Sequence, residues 1–309
     1  MKKIAILGAT GYVGRSLVRE FFLENKSYHL SLFSRSKEKL HTHIKDIPKK
    51  VQYSAHSYDD FHKGEYDVII NCTGISSSPN VQKNPFEIFK VTEEVDALVI
   101  TYLEDHPKAL YINVSSGAVY GDNFETAVTE KSKTTLPAGF FGNSEAYAIA
   151  KINAEAKHRA LQLYNIVDVR IFAFFGSLVD VDSPFLMSDI AKCIFHKKVF
   201  KTNGDDFIRD YITAKDLLLF ITCCSTKKKI NDYFDIYSKK SISKFALLQA
   251  LAKKYKLVHT ITTPKTKMIA KNAYFSKSKK ATALLGYYPT FSSLEGVMNE
   301  LDKVISENK

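Results

Sequence analysis

Tyr147 and Lys151 stand four residues apart in Asn143-Ser144-Glu145-Ala146-Tyr147-Ala148-Ile149-Ala150-Lys151, a spacing that puts both side chains on one face of a helix. A free phenol titrates near ~10 and is a poor base at neutral pH, but an adjacent ammonium favours its ionised form. Such a pair can take a proton from, or hand one to, a carbonyl or carbinol oxygen. Ser116 suits the same chemistry. It follows an apolar run and opens the stretch Ser116-Gly117-Ala118-Val119-Tyr120-Gly121, where its hydroxyl can hold the reacting oxygen. Taken alone, Tyr-x-x-x-Lys is common on exposed helix faces, so its weight depends on the rest of the chain.

The start of the chain supplies that weight. Gly8 to Gly14 reads GATGYVG, after the apolar run Ile4-Ala5-Ile6-Leu7 and before a helical pattern. A helix N-terminus carries unsatisfied N–H groups and a partial positive charge, so a backbone that permits close approach there suits a pyrophosphate. The strand, glycine turn and helix in that order mark a dinucleotide site. About twenty residues on, where a site for NAD usually offers a carboxylate to the ribose, the second strand ends in Phe33-Ser34-Arg35 with Lys37 nearby. A guanidinium pairs well with a 2′-phosphate. NADP(H) is therefore the favoured cofactor, and NAD(H) is the alternative. The residues expected to hold it are Gly8, Thr10, Gly11, Tyr12, Val13 and Gly14, then Ser34 and Arg35, then Cys72, Thr73 and Gly74, with Ser115 and Phe174 further along. Tyr147 and Lys151 complete the set, Lys151 reaching a ribose hydroxyl while tuning the tyrosine.

Positioning these groups requires alternating strands and helices. Strands are expected at Lys3 to Leu7, His29 to Ser34, Val51 to Ser54, Asp67 to Cys72, Leu110 to Ser115 and Val167 to Phe172, with helices over Tyr12 to Glu24, Pro85 to Glu104 and Ser144 to Tyr164. That alternation predicts right-handed crossovers and a doubly wound parallel α/β sheet of Rossmann type, with its ligand beyond the carboxyl ends of the strands. Past Gly176 the pattern predicts a smaller α+β substrate-binding domain. Its helices are expected over Ser183 to Lys197, Ala214 to Cys224, Ile242 to Tyr255 and Leu294 to Ser306, and short strands at Val199 to Thr202 and Phe207 to Ile212. The division is placed at residues 1–176 and 177–309, with the second part interleaved with the last strands of the sheet.

Composition bounds the alternatives. The chain has 309 residues, 45% of them hydrophobic and 25% charged, an ordinary globular balance with room for a large core. No apolar run is long enough for a membrane span or a signal-peptide core, which predicts a cytoplasmic protein without a membrane partner. Four cysteines at Cys72, Cys193, Cys223 and Cys224 have neither metal-ligand spacing nor a disulfide framework, so no metal is expected. A net charge of +11 comes from dispersed lysines. No basic stripe interleaved with aromatics speaks for nucleic acid.

On GATGYVG, SSGAVYG, the YAIAK pair followed by Glu155, Arg209-Asp210-Tyr211-Ile212 leading to Asp216-Leu217, and Leu285-Gly286-Tyr287-Tyr288-Pro289 before a last helix, the chain resembles the extended short-chain dehydrogenase/reductases. Within them it is similar to the nucleotide-sugar epimerase, dehydratase and reductase group, over nearly its whole length. The resemblance implies a nucleotide-diphosphate sugar as substrate, held by Ser116, Gly117 and Arg209, the last on the diphosphate. It also implies a homodimer through Pro85 to Glu104 and Ser144 to Tyr164. Three departures stand out. Gly117 and Ala118 occupy the places of the dehydratases' Asp-Glu pair, which disfavours dehydration. Ala173 replaces an asparagine, and Lys90 stands near another asparagine position. His56, Ser57 and Tyr58 fall where an aspartate often meets adenine, with Asp59 a little late, so that contact is left unassigned.

The expected reaction is NADPH-dependent reduction of a keto group, at C4 of a nucleotide-linked deoxysugar. Tyr147 serves as general acid/base, Ser116 polarises the carbonyl and Lys151 supports both. The alternative is a C4 epimerase with bound NAD. A third reading is a non-catalytic NADP-binding sensor or scaffold, whose usual mark, loss of the tyrosine or lysine, is missing here.

Overall fold

The computed structural model describes residues 1–24, 26–45, 51–75, 84–122, 124–136, 139, 142–262 and 272–307. Six strands form at the expected places: β1 (Lys2–Leu7), β2 (Tyr28–Phe33), β3 (Gln52–His56), β4 (Val68–Asn71), β5 (Leu110–Ser116) and β6 (Asn165–Ile171). They pair in parallel in the order β6-β5-β4-β1-β2-β3, and the strand Asn231–Asp235 adds to the outer edge of β6, also in parallel. That seventh strand has no continuous apolar run to announce it, because its residues Asn231, Asp232 and Tyr233 are only half-buried. Sheet order reverses between β1 and β4, so a crevice opens beyond their carboxyl ends.

Both faces of the sheet are covered, which is why its strands read as apolar runs rather than alternations. Ile4, Ile6, Leu30, Leu32 and Ile70 pack on one face with Leu17, Val18, Phe21 and Phe22 of helix α1 (Tyr12–Leu23). Ala5, Leu7, Ile69 and Tyr111 pack on the other with Val99, Tyr102 and Leu103 of helix α3 (Phe86–Asp105). Helix α2 (Lys37–Ile44), which precedes α3, went unanticipated because only Leu40 and Ile44 in it are buried and the rest is polar. Ser36 caps it, accepting from the Lys39 N–H at 3.2 Å. Helix α4 (Asn143–Ala160) lies against α3 and ends at Ala160, four residues short of the expected Tyr164, as the chain turns at Leu161.

A buried polar network joins α3, α4 and the sheet. The His158 ring sits between Asp168 Oδ1 at 2.8 Å and Asp96 Oδ1 at 2.7 Å, with no exposure to solvent. Arg159 and Asn113 also donate to Asp168, and Lys157 pairs with Asp96. The Tyr111 hydroxyl donates to Asp96 and accepts from Asn71 Nδ2, both at 3.0 Å. Asn71 in turn accepts the Thr73 N–H at 2.9 Å, so the network reaches the lip of the crevice.

The chain after Gly176 is shared between two cores. The helix Ala214–Cys224 returns to pack on α1, and Leu217, Phe220, Phe234 and Tyr287 belong to the sheet's core. Phe175, Met187, Ile190, Phe200, Leu247, Leu251, Val297 and Leu301 form a separate apolar cluster. Around it stand the helices Leu186–Phe195, Lys244–Tyr255 and Ser293–Glu307, together with short strands at Phe200–Asn203, Ile208–Arg209 and Ala273–Tyr274. Among the described residues, no helix is long and apolar enough to cross a membrane.

Candidate active site

Gly8 follows β1 with φ at +72°, and a side chain there would meet the Cys72 carbonyl carbon and the Thr73 nitrogen at 3.0 Å. Only glycine combines that left-handed backbone with so close a neighbour. The Gly11 N–H closes the turn onto the Gly8 carbonyl at 2.9 Å, and α1 begins at Tyr12. Gly14 fits because a Cβ on it would come within 2.3 Å of the Gly8 oxygen. Gly14→Ala is expected to force the turn open, costing about 1–3 kcal/mol of stability and weakening dinucleotide affinity. Thermal denaturation and an equilibrium titration with NADPH and NADH check it.

Beyond the turn lies a crevice of about 510 Å³. Gly8, Thr10 and Gly11 line it from the first turn, Ser34 and Arg35 from the end of β2, and Cys72, Thr73 and Gly74 from the end of β4. This set of residues was expected to hold a dinucleotide. The glycine cradle, too tight for side chains, and the helix N-terminus suit a pyrophosphate, and the crevice can take an extended nucleotide. The other members of the expected set lie elsewhere. Val13, in the first turn of α1, packs against the core, and Gly14 packs on Gly8. Tyr12 and Phe174 meet edge to face at 5.1 Å and line a different cavity, with the Tyr12 hydroxyl accepting from the Gly176 N–H at 2.7 Å.

The sequence reading left Tyr58, Asp59 and Lys90 without an assigned contact and did not single out His62 or Glu94. Tyr58 accepts the Gly8 N–H at 3.0 Å, and Asp59, His62, Lys90 and Glu94 stand in the walls. Asp59 arrives there because β3 and β4 are joined by the short 3-10 helix Tyr58–Lys63, which turns the chain back over the crevice. A carboxylate a few residues past the third strand was the available signal.

Two of the three catalytic candidates, Ser116 and Tyr147, line one cavity, and Lys151 is buried near them. Ser116 ends β5, and its Oγ accepts the Ala118 N–H at 3.1 Å. Tyr147 and Lys151 lie on α4, with the Lys151 ammonium 5.9 Å from the centre of the Tyr147 ring. Lys151 is buried and donates to the Val114 carbonyl at 2.8 Å. The position of a Cβ on Gly74 is 3.6 Å from its nitrogen, so the ammonium sits between the crevice and the phenol. Ser116, Ala118, Glu145, Tyr147 and Tyr274 line a cavity of about 210 Å³. A serine hydroxyl and a phenol facing one small space beside a buried cation can bind and protonate a single oxygen.

Two expected contacts take a different form. The Ser115 hydroxyl points away, donating to Glu155 Oε1 at 2.6 Å, and Arg170 holds that carboxylate from its other side. Ser115 therefore braces the strand rather than facing the crevice. Gly117 is buried against Phe172, whose ring lies 2.4 Å from where a Cβ would stand. No acidic side chain of the dehydratase kind fits there.

Arg209 lies at a second, aromatic cavity of about 480 Å³ with Phe172, Phe174, Phe175, Phe185 and Tyr211. Its guanidinium is 4.2 Å from the Phe207 ring centre and 5.6 Å from that of Tyr274, and burial lowers its pKa. Tyr274 lines both this cavity and the one holding Ser116 and Tyr147. Nothing in its local sequence, Asn272-Ala273-Tyr274-Phe275, drew notice.

The family model described as NAD dependent epimerase/dehydratase family matches residues 4–237. No curated protein sequence matches the chain. Among solved structures, UDP-glucuronic acid 4-epimerase from Bacillus cereus, a mutant bound to a fluorinated UDP-glucuronic acid and NAD, superposes with a TM-score of 0.80 at 20% identity, covering 99% of this chain and 100% of that one. UDP-glucose-4-epimerase from Stenotrophomonas maltophila with NAD gives 0.81 at 15% identity, over 100% and 99%. dTDP-glucose 4,6-dehydratase from Bacillus anthracis with NAD gives 0.78 at 15%, over 100% and 98%.

Proposed function

Because the chain belongs to the NAD-dependent epimerase/dehydratase family, we propose that it reduces a keto group, at C4, of a nucleotide-linked deoxysugar, using NADPH. The observation that carries this reading is the cavity shared by Ser116 and Tyr147 with Lys151 behind it. When bound, a nicotinamide dinucleotide supplies the hydride. Ser116 holds the carbonyl oxygen and Tyr147 protonates it as negative charge develops there. The Lys151 ammonium offsets the charge left on the phenol. Gly8, Thr10 and Gly11 would receive the pyrophosphate of the cofactor, and Arg209 the diphosphate of the substrate. Neighbouring aromatic rings exclude water from around that ion pair, which strengthens it.

Net reduction with NADPH is supported by Arg35. It is exposed at the crevice wall and has no ion-pair partner among the described residues, whereas Lys37 nearby is engaged by Asp60 at 3.5 Å. Arg35→Ala is expected to raise KM for NADPH by about 10- to 100-fold, the loss of a charge-assisted phosphate contact, and to leave KM for NADH almost unchanged. An unaltered NADPH KM removes the arginine from cofactor choice.

C4 epimerisation with retained NAD is the second reading, and the neighbours solved with NAD, mostly 4-epimerases, favour it. It uses the same Tyr147, Ser116 and Lys151. Incubating the protein with nucleotide-linked 4-keto sugars and NADPH or NADH, and separately with the corresponding 4-hydroxy sugars with or without added NAD, followed by absorbance and product NMR, separates the two. Stoichiometric NADPH consumption with the keto sugar supports reduction, and C4 inversion of the hydroxy sugar without net change in nicotinamide absorbance supports epimerisation. A homodimer built on α3 and α4 is part of the same proposal, tested by light scattering.

A further inference from the structure

Ser116 can accept two hydrogen bonds and donate one. The Ala118 N–H takes one acceptor site at 3.1 Å, and the Tyr274 hydroxyl lies 3.4 Å from the same oxygen. If Ser116 gave its proton to Tyr274, none would remain for a substrate oxygen. If Tyr274 gives its proton to Ser116, both acceptor sites are filled and the serine proton can only point into the cavity. We propose that Tyr274 is a positioning residue that donates to Ser116 and so aims the Ser116 hydroxyl at the substrate oxygen. This rests on the proposed role of Ser116 in carbonyl binding.

The surroundings of Tyr274 suit a fixed donor. Its ring is wedged against Phe124 at 4.5 Å and Phe172 at 5.4 Å between centres. Its short strand pairs in parallel with Ile208–Arg209, and the Ala273 N–H donates to the Phe124 carbonyl at 2.9 Å. Two residues on, the Ser276 hydroxyl donates at 2.6 Å to Asp235 Oδ2, and Tyr120 donates to the same carboxylate. Asp235 belongs to the sheet's seventh strand, so a residue from the far end of the chain is anchored to the element beside β6. Burial pushes the Tyr274 phenol up to about 12, which keeps its proton in place at any working pH. A chain of hydroxyls from Tyr274 through Ser116 to a carbonyl oxygen strengthens each bond along it.

Tyr274→Phe removes one hydroxyl and keeps the ring's volume. With a nucleotide-linked 4-keto deoxyhexose and NADPH, its kcat is expected to fall by about 10- to 100-fold, the cost of one misaimed donor to a developing oxyanion. KM and the equilibrium affinity for NADPH should stay unchanged. In a Ser116→Ala background the same substitution should cost nothing more, since the group it aims is gone. An unchanged kcat, or an equal loss in that background, overturns the proposal. Neutron crystal structures of the wild type and Tyr274→Phe, which show the deuteron on Ser116 Oγ, give a readout that needs no turnover. The Ser116 hydroxyl should leave its single orientation in the variant, and an identical Ser116 in both overturns the proposal. A wild type inactive on every nucleotide sugar instead sinks the functional reading, and the crystal comparison still decides what Tyr274 does.

Discussion

Tyr147→Phe should leave a protein that binds its dinucleotide with unchanged affinity and has lost about 10²- to 10⁴-fold in kcat, the range expected for removing a positioned acid. The ring stays on α4, and the Lys151 ammonium keeps its bond to the Val114 carbonyl at 2.8 Å, so the crevice proposed for the cofactor is untouched. What disappears is the one phenol that faces Ser116 from α4 in the cavity of about 210 Å³. Steady-state turnover by nicotinamide absorbance, with fluorescence titration of NADPH, reads the two quantities separately. Loss of both together would mean that Tyr147 holds the cofactor rather than moving a proton. Retention of both would mean that a group other than Tyr147 supplies the proton, whereas a wild type that binds NADPH without turning over any nucleotide sugar, and a variant that behaves identically, would favour a protein that binds NADP as a sensor.

The second large effect concerns stability. Burial alone lowers the pKa of His158, but its hydrogen bonds to Asp168 and Asp96, with the charges of those carboxylates, prevail and hold it at about 9 against an ordinary 6.5. The folded state therefore keeps a proton that the unfolded chain gives up. That contribution is fully present below pH ~6.5, and it drains away as pH rises through about 9. The gap corresponds to about 3 kcal/mol. His158→Gln should lower unfolding stability by about that amount at pH 6, with a much smaller difference from the wild type at pH 10. Urea denaturation of both proteins across this pH range measures it. A difference that is flat with pH would mean that His158 is not ionised between its two carboxylates.

Much of this protein is written in short stretches of sequence. GATGYVG carries its own reason to be a turn at a helix N-terminus, because φ at Gly8 and the packing of Gly14 on Gly8 involve residues within one loop. Tyr147 and Lys151 share a helix face by spacing alone, and the apolar strands of a sheet covered on both sides declare themselves. The same local logic places Arg35 after the second strand, and the structure puts it at the crevice wall with Ser34.

What the tertiary structure decided lies where distant segments meet. Asp59, Lys90 and Glu94 line the crevice because the turn after β3 and the first half of α3 fold to either side of the switch point. Ser115 and Ser116 are neighbours in one strand, yet the pleat turns one toward Glu155 and the other toward the cavity. Phe174, counted by sequence with the cofactor residues, is carried by its backbone to the aromatic cavity instead. The sequence by itself determined the chemistry available, since a helix's periodicity and a glycine's freedom are properties of a few consecutive residues. Which hydroxyl faces the cavity, and that Tyr274 and Asp235 stand behind it, follow from the order in which strands add to a sheet, a long-range packing outcome that no window of residues contains.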